Sequence, residues 1–169
     1  GYQDLSTLPS LIFSLKSSEG TLKLELVDSL GNKSAIYLSG ASSTTETFYS
    51  VALSKLVGSA ELKKISFIYI VVEGDNKTGT LEINDLKASN TIPPDPTKTA
   101  NDINIPTTGL TIPGGVTVAP TGATAVLTRT SRGISVAYST SSGANAGWAG
   151  AGFSYSGTTL GYQDISSLT

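Results

Sequence analysis

The sequence predicts an all-β fold of antiparallel strands, on three observations. Apolar residues recur with a period of two: Leu11, Phe13 and Leu15, then Leu22, Leu24 and Leu26 alternating with Lys23, Glu25 and Val27. That period places one face of each strand in a core. Clusters rich in Gly, Asn, Asp and Ser punctuate these runs, at Asp28-Ser29-Leu30-Gly31-Asn32 and Gly74-Asp75-Asn76-Lys77-Thr78-Gly79, and such residues favour turns. Two later runs, 123–130 and 133–140, flank Ser131-Arg132-Gly133 and read as a hairpin.

The elements follow in order. Residues 10–16 and 22–27 form the first two strands, and Ser34–Leu38 returns after the turn. Thr47–Leu53 is the next strand, and Ser54–Lys64 has room for a short helical turn. Ile65-Ser66-Phe67-Ile68-Tyr69-Ile70-Val71-Val72 is apolar at odd and even positions, so it is expected at the centre of a sheet, buried on both faces. Thr80–Leu86 closes this half. Residues 91–122 change character, with prolines at 93, 94, 96, 106, 113 and 120. Proline cannot donate to a ladder, so this stretch reads as an extended linker, with Val116-Thr117-Val118 as a short edge strand. Ile103, Ile105, Leu110, Ile112, Val116 and Val118 are too apolar for a solvated tether. They read as an assembly arm that lies along an adjacent unit. In the last part Ile134, Val136 and Tyr138 share a face. Gly147-Trp148-Ala149-Gly150-Ala151-Gly152-Phe153 is a strand with little side-chain bulk. Glycines there imply something packed close to the backbone.

The chain also ends as it begins. Gly1-Tyr2-Gln3-Asp4-Leu5-Ser6-Thr7-Leu8-Pro9 returns 160 residues later as Gly161-Tyr162-Gln163-Asp164-Ile165-Ser166-Ser167-Leu168-Thr169, identical at six of nine positions. This reads as one period of a tandem array. An array predicts that residues following Thr169 resemble Ser10–Lys16.

Composition narrows the function. The 169 residues carry a net charge of −2, with 14% charged residues and no basic stripe, so nucleic acid is not expected as a partner. No run approaches the length of a membrane span. Cys, Met and His are absent, which removes disulfides, the usual zinc sites and triads built on His or Cys. Little charge, much Ser, Thr and Gly, and no oxidisable Cys or Met suit a prokaryotic extracellular or cell-surface location. The carboxylate pairs Glu25/Asp28, Glu73/Asp75 and Glu82/Asp85 have only proximity in their favour, so an enzyme is not expected.

The order Arg132-Gly133-Ile134-Ser135-Val136-Ala137-Tyr138-Ser139, then Gly147–Phe153, then Tyr-Gln-Asp-Ile-Ser-Ser-Leu, resembles the first half of a galactose-binding-domain-like carbohydrate-binding module of the family-11-like type. Asp4-Leu5-Ser6, Leu11–Lys16, Leu24–Asp28 and Gly79–Leu86 resemble its second half. The resemblance implies an antiparallel jelly-roll-like β-sandwich with its halves in permuted order. Residues 1–90 would be the C-terminal part of one module and 123–169 the N-terminal strands of the next, or of the same module if it is circularly closed. An array favours closure with a neighbour.

Carbohydrate binding requires aromatic faces, and Trp148, Tyr37, Tyr49, Tyr69 and Tyr138 are the candidates. Trp148 and Tyr69 read equally as core residues. The resemblance also implies a structural Ca²⁺ at Asp85. The alternative for Asp85 is a solvent-facing residue at a strand end. Taken together, the expected function is a structural repeat of an extracellular filament or surface polymer, with copies of itself as partner. The alternative is a functional carbohydrate-binding module of a secreted enzyme or adhesin, with a polysaccharide as partner.

Overall fold

A computed structural model describes residues 2–90, 103–104, 115–143 and 147–154. Among the described residues twelve strands run in chain order: β1 (Ser10–Ser17), β2 (Thr21–Asp28), β3 (Lys33–Ser39), β4 (Thr47–Ala52), β5 (Val57–Gly58), β6 (Ile65–Glu73), β7 (Thr78–Ser89), β8 (Ile103–Asn104), β9 (Gly115–Val118), β10 (Thr124–Arg129), β11 (Gly133–Ser139) and β12 (Trp148–Ser154). Among the described residues the only helical turns are single 3-10 turns at Leu53–Lys55 and Leu62–Lys64, within the segment expected to hold one.

The strands form two antiparallel sheets packed as a sandwich. One runs β10-β11-β7-β1-β4, with β8 also on β7. The other runs β5-β3-β2-β6-β12-β9. The period of two explains the packing. Leu22, Leu24 and Leu26 of β2 with Ile68, Ile70 and Val72 of β6 face Leu11, Phe13 and Leu15 of β1 with Leu81 and Ile83 of β7. Most of these side chains are completely enclosed. Each such residue contributes about 1.5–3 kcal/mol through loss of apolar surface from water.

The two parts of the chain close on each other. β11 pairs with β7 from Gly133↔Asn84 to Ser139↔Thr78. β12 pairs with β6 from Trp148↔Glu73 to Ser154↔Phe67. Ile134, Val136, Ala149, Ala151 and Phe153 then complete the core. A neighbour is therefore not needed to supply these strands, although an array had favoured one. The chain's own β11 and β12 occupy the places beside β7 and β6. Within the stretch expected as linker, Ile103↔Ala88 and Val118↔Gly150 add backbone pairs along β7 and β12. Ile105, Leu110 and Ile112 lie outside the described residues. A turn with Ala123 N–H donating to Pro120 O at 3.0 Å leads from β9 into β10. The chain thus passes from one sheet edge to the other.

β6 is central, between β2 and β12, as its sequence predicts. Its second face differs from expectation. Ile68, Ile70 and Val72 point into the sandwich, whereas Phe67 and Tyr69 are only half-buried on the outer side. They stack there with ring centroids 5.3 Å apart.

Asp28 holds the β2–β3 turn. Its Oδ1 accepts from Leu30 N–H and Asn32 N–H, both at 2.9 Å. Its Oδ2 accepts from Asn32 Nδ2 at 2.9 Å and from Glu61 N–H at 3.0 Å, tying the turn to the approach to β6. The Glu61 amide, helped by Asn32 and Leu30, outweighs burial and lowers the carboxyl to about 2. A group with a depressed folded pKa stabilises fully above its unfolded value near 4, and loses that contribution as pH falls toward the folded value. Thermal unfolding followed from pH 6 to pH 2 should therefore show a drop in midpoint between roughly pH 4 and 2. Asp28→Asn should flatten that part of the profile. An unchanged acid limb in the variant would contradict this role.

Candidate functional site: an outward groove at one end of the β2–β3–β6 face

Alternation that sends Leu22, Leu24 and Leu26 inward sends Lys23 and Glu25 outward. Register then sets their neighbours. Lys23 lies opposite Tyr37 of β3 on one side and Val71 of β6 on the other. Two residues along β6, Glu73 lies opposite Trp148 of β12. The two turns that flank this end, Ser18–Gly20 and Gly74–Lys77, bring in Glu19 and Lys77. The result is an open groove of about 430 Å³ lined by Glu19, Lys23, Tyr37, Val71, Glu73 and Lys77 among others.

Its polar groups are mutually anchored. Tyr37 Oη donates to Glu73 Oε2 at 2.8 Å, and Lys23 Nζ bonds the other Glu73 oxygen. Lys77 Nζ pairs with Glu19 at 2.9 Å. Behind them Glu25, 8% exposed, lies between Lys33 at 2.9 Å and Lys23 at 3.5 Å. The bond to Glu73 raises the Tyr37 phenol above its ordinary pKa, so it remains a neutral donor at physiological pH. Burial raises Glu73, but its bonds to Lys23 and Tyr37 outweigh that and keep it ionised. The ring of Tyr37 is 64% exposed although its hydroxyl is held. An aromatic face offered at a fixed angle beside charged acceptors and donors can stack on a sugar ring and bond its hydroxyls.

The other aromatic candidates are distributed differently. Trp148 and Tyr69 share the outer face of this sheet and are half-buried; neither is in the core cluster. Tyr138 is 4% exposed and belongs to the core, where burial pushes its phenol up to about 12. Tyr49 is packed against the core and stacks on Phe13 at 5.6 Å, with Oη donating to Ser39 O at 3.0 Å. The structure thus brings Tyr37 to the groove, places Trp148 on the same face, and turns Tyr49 and Tyr138 inward.

Asp85 sits elsewhere, on β7, with φ +51. Its N–H donates to Arg132 O at 3.0 Å, and its carboxylate accepts from Arg132 Nε at 3.0 Å. The same guanidinium grips Glu46, with Nη1 and Nη2 at 3.1 and 2.9 Å. Asn84 Nδ2 donates to Glu46 at 3.4 Å. Both carboxylates are thus committed to a cation the chain itself supplies, and among the described residues no three His, Cys, Asp or Glu side chains converge as a metal site. As arranged, these groups hold the guanidinium, which a Ca²⁺ at Asp85 would have to displace.

Sequence reasoning missed Glu19, Lys23, Glu73 and Lys77 as a group. Alternation marks Lys23 and Tyr37 as outward, but only strand pairing brings β2, β3 and β6 side by side. Compared with known proteins, the chain matches no family model, no curated protein and no solved structure.

Proposed function

We propose that this chain is a structural repeat unit of a prokaryotic extracellular filament or cell-surface polymer, with further copies of itself as partner. The observation that carries this is the nonapeptide repeated 160 residues apart, whose first copy is built into the sandwich. Leu5 and Leu8 of that copy are 1% and 7% exposed and belong to the core cluster. A segment with a structural job in one unit, returning in register, is what a chain of such units requires. The low charge and mostly Ser, Thr and Gly surface support an exposed setting. Negative-stain electron microscopy of a chain holding three tandem periods tests it. Rods with an even axial repeat are the expected result, and unconnected particles with random spacing would count against it.

A second reading is favoured by the groove. A functional carbohydrate-binding module would stack a sugar on Tyr37 and bond its hydroxyls through Glu73, Lys23, Glu19 and Lys77. Pull-down on insoluble polysaccharides tests that reading. Any retained binding should fall at least about tenfold in Tyr37→Ala, a loss of roughly 1.4 kcal/mol. Equal binding by the variant would remove the groove from consideration.

A further inference from the structure

The N-terminal segment occupies a defined place. Gln3 N–H donates to Ile65 O at 2.7 Å, and Ile65 N–H donates back to Gln3 O at 3.0 Å. Leu5 N–H donates to Leu62 O at 2.8 Å, and Asp4 Oδ1 accepts from Ser6 N–H at 2.8 Å. Leu8 N–H donates to Leu5 O at 3.1 Å, closing a turn that sets both leucines into the core.

The edge of β6 that this segment uses matters. In an antiparallel ladder both polar groups of a residue point to the same side. Ile65 gives both to Gln3, while Ser29 N–H, at the end of β2, reaches the preceding residue, Lys64 O, at 2.8 Å. Gln3 therefore lies on the side away from β2, the side that β12 occupies. β12 ends with Ser154 opposite Phe67, and Gln3 is opposite Ile65. The segment continues the line of β12 after a gap of two residues along β6, about 7 Å.

The sequence that follows β12 carries the second copy of this segment. Residues 155–160 separate Ser154 from Gly161. An eight-residue stretch, 155–162, spans up to roughly 27 Å, several times the gap. The second copy also retains each group the site uses. Backbone bonding at Gln3 asks nothing of its side chain. Asp164 and Ser166 repeat the Asp4–Ser6 pair, Ile165 stands for Leu5, and Leu168 repeats Leu8.

We propose that the groove beside Ile65 and Leu62 is a segment-exchange site, and that Gly161–Leu168 of the same chain docks there in place of Gln3–Leu8. The sandwich then has two interchangeable keys for one lock. In a string of repeats, the released N-terminal copy stays joined to the preceding unit, so exchange alters how consecutive sandwiches are linked, with Ile165 and Leu168 taking the core places of Leu5 and Leu8. The inference rests on the duplication and the groove, so its failure leaves the microscopy test of the repeat reading untouched.

Hydrogen exchange of the Ile65 amide, which bonds Gln3 O, reports occupancy of the groove, with the Ile70 amide in the same strand as the control for global folding. Three full-length variants are compared: Leu5→Asp, Ile165→Asp and the double variant. Each single variant should keep Ile65 protection within about threefold of the parent, because the other copy fills the site. The double variant should lose at least tenfold at Ile65 while Ile70 stays protected. Loss at Ile65 in Leu5→Asp alone, equal to that in the double variant, would overturn the proposal. Rescue of Leu5→Asp that depends on protein concentration, with a doubled mass in solution, would overturn the same-chain assignment in favour of a second copy.

Discussion

Gly152→Ala is expected to lower the unfolding midpoint by roughly 6–12 °C, the equivalent of about 3 kcal/mol in a domain of this size. A Cβ on Gly152 would stand 1.8 Å from Ile68 O and 2.8 Å from Ile68 C and Tyr69 Cα. All three are backbone atoms of β6, so no side-chain rotation relieves the clash; the two strands must move apart. That loosens the ladder joining the C-terminal part of the chain to the rest of its sheet. Overpacking against side chains costs about 1–3 kcal/mol, and a rigid backbone belongs at the upper end. Gly150→Ala supplies the comparison. Its tight contacts would be with methyl groups, Val118 Cγ1 at 3.1 Å and Val71 Cγ2 at 3.2 Å, while the nearest backbone atom, Ile70 O, stands at an ordinary 3.5 Å, and valines on the outer face can shift by tenths of an ångström. Its loss should be about 1 kcal/mol. Circular-dichroism melts of both variants decide the matter, and equal midpoints would show that β12 does not approach β6 as closely as described.

These glycines also show how far the sequence could be read. Small residues in an otherwise strand-like run imply a close backbone neighbour, and β6 is that neighbour. Alternation located β1, β2 and β11 because each has one face in a single core. It was less informative for β6. Ile65–Val72 is apolar at every position but Ser66, yet only one face lies between the sheets. The other carries the Phe67–Tyr69 stack on the outside. Periodicity cannot separate a strand covered on both sides from one with an apolar outer face. It also could not decide which chain completes the sandwich, because the pattern of β11 and β12 is the same whether they pair within the chain or with a copy.

The candidate site was legible only residue by residue. Tyr37 carried the right chemistry, but so did Tyr49 and Tyr138, and nothing local in the sequence distinguishes a tyrosine on an outer face from one beneath a sheet. Strand pairing settles it: Tyr37 lies opposite outward-facing Lys23, whereas Tyr49 lies opposite inward-facing Phe13. Asp85 was read from its neighbours along β7. Arg132 is 47 residues away in sequence and reaches it through the β10–β11 turn, a contact no local pattern encodes.

Phe153→Ala is expected to cost about 3–5 kcal/mol, the range for emptying an aromatic site in a packed core, and to lower the midpoint by roughly 6–20 °C. Phe153 is 2% exposed and among the largest fully enclosed side chains. It lies opposite Ile68 on β6 and Gly115 on β9. Its neighbours on the inner face of β12 are Ala149 and Ala151, so it is the only large side chain that β12 contributes to the core. Two alanines cannot fill the space it leaves. Phe153→Leu restores most of the volume without the ring and should recover more than half of the loss. If the C-terminal part of the chain were a loosely attached arm, both substitutions would change the melt by less than about 1 kcal/mol, within the range of ordinary surface changes. A large loss in Phe153→Ala with partial recovery in Phe153→Leu is the result that a sandwich closed within one chain requires. A sandwich closed in this way completes its core within one chain, so the proposed array would leave contacts between units to surfaces and to the duplicated segment.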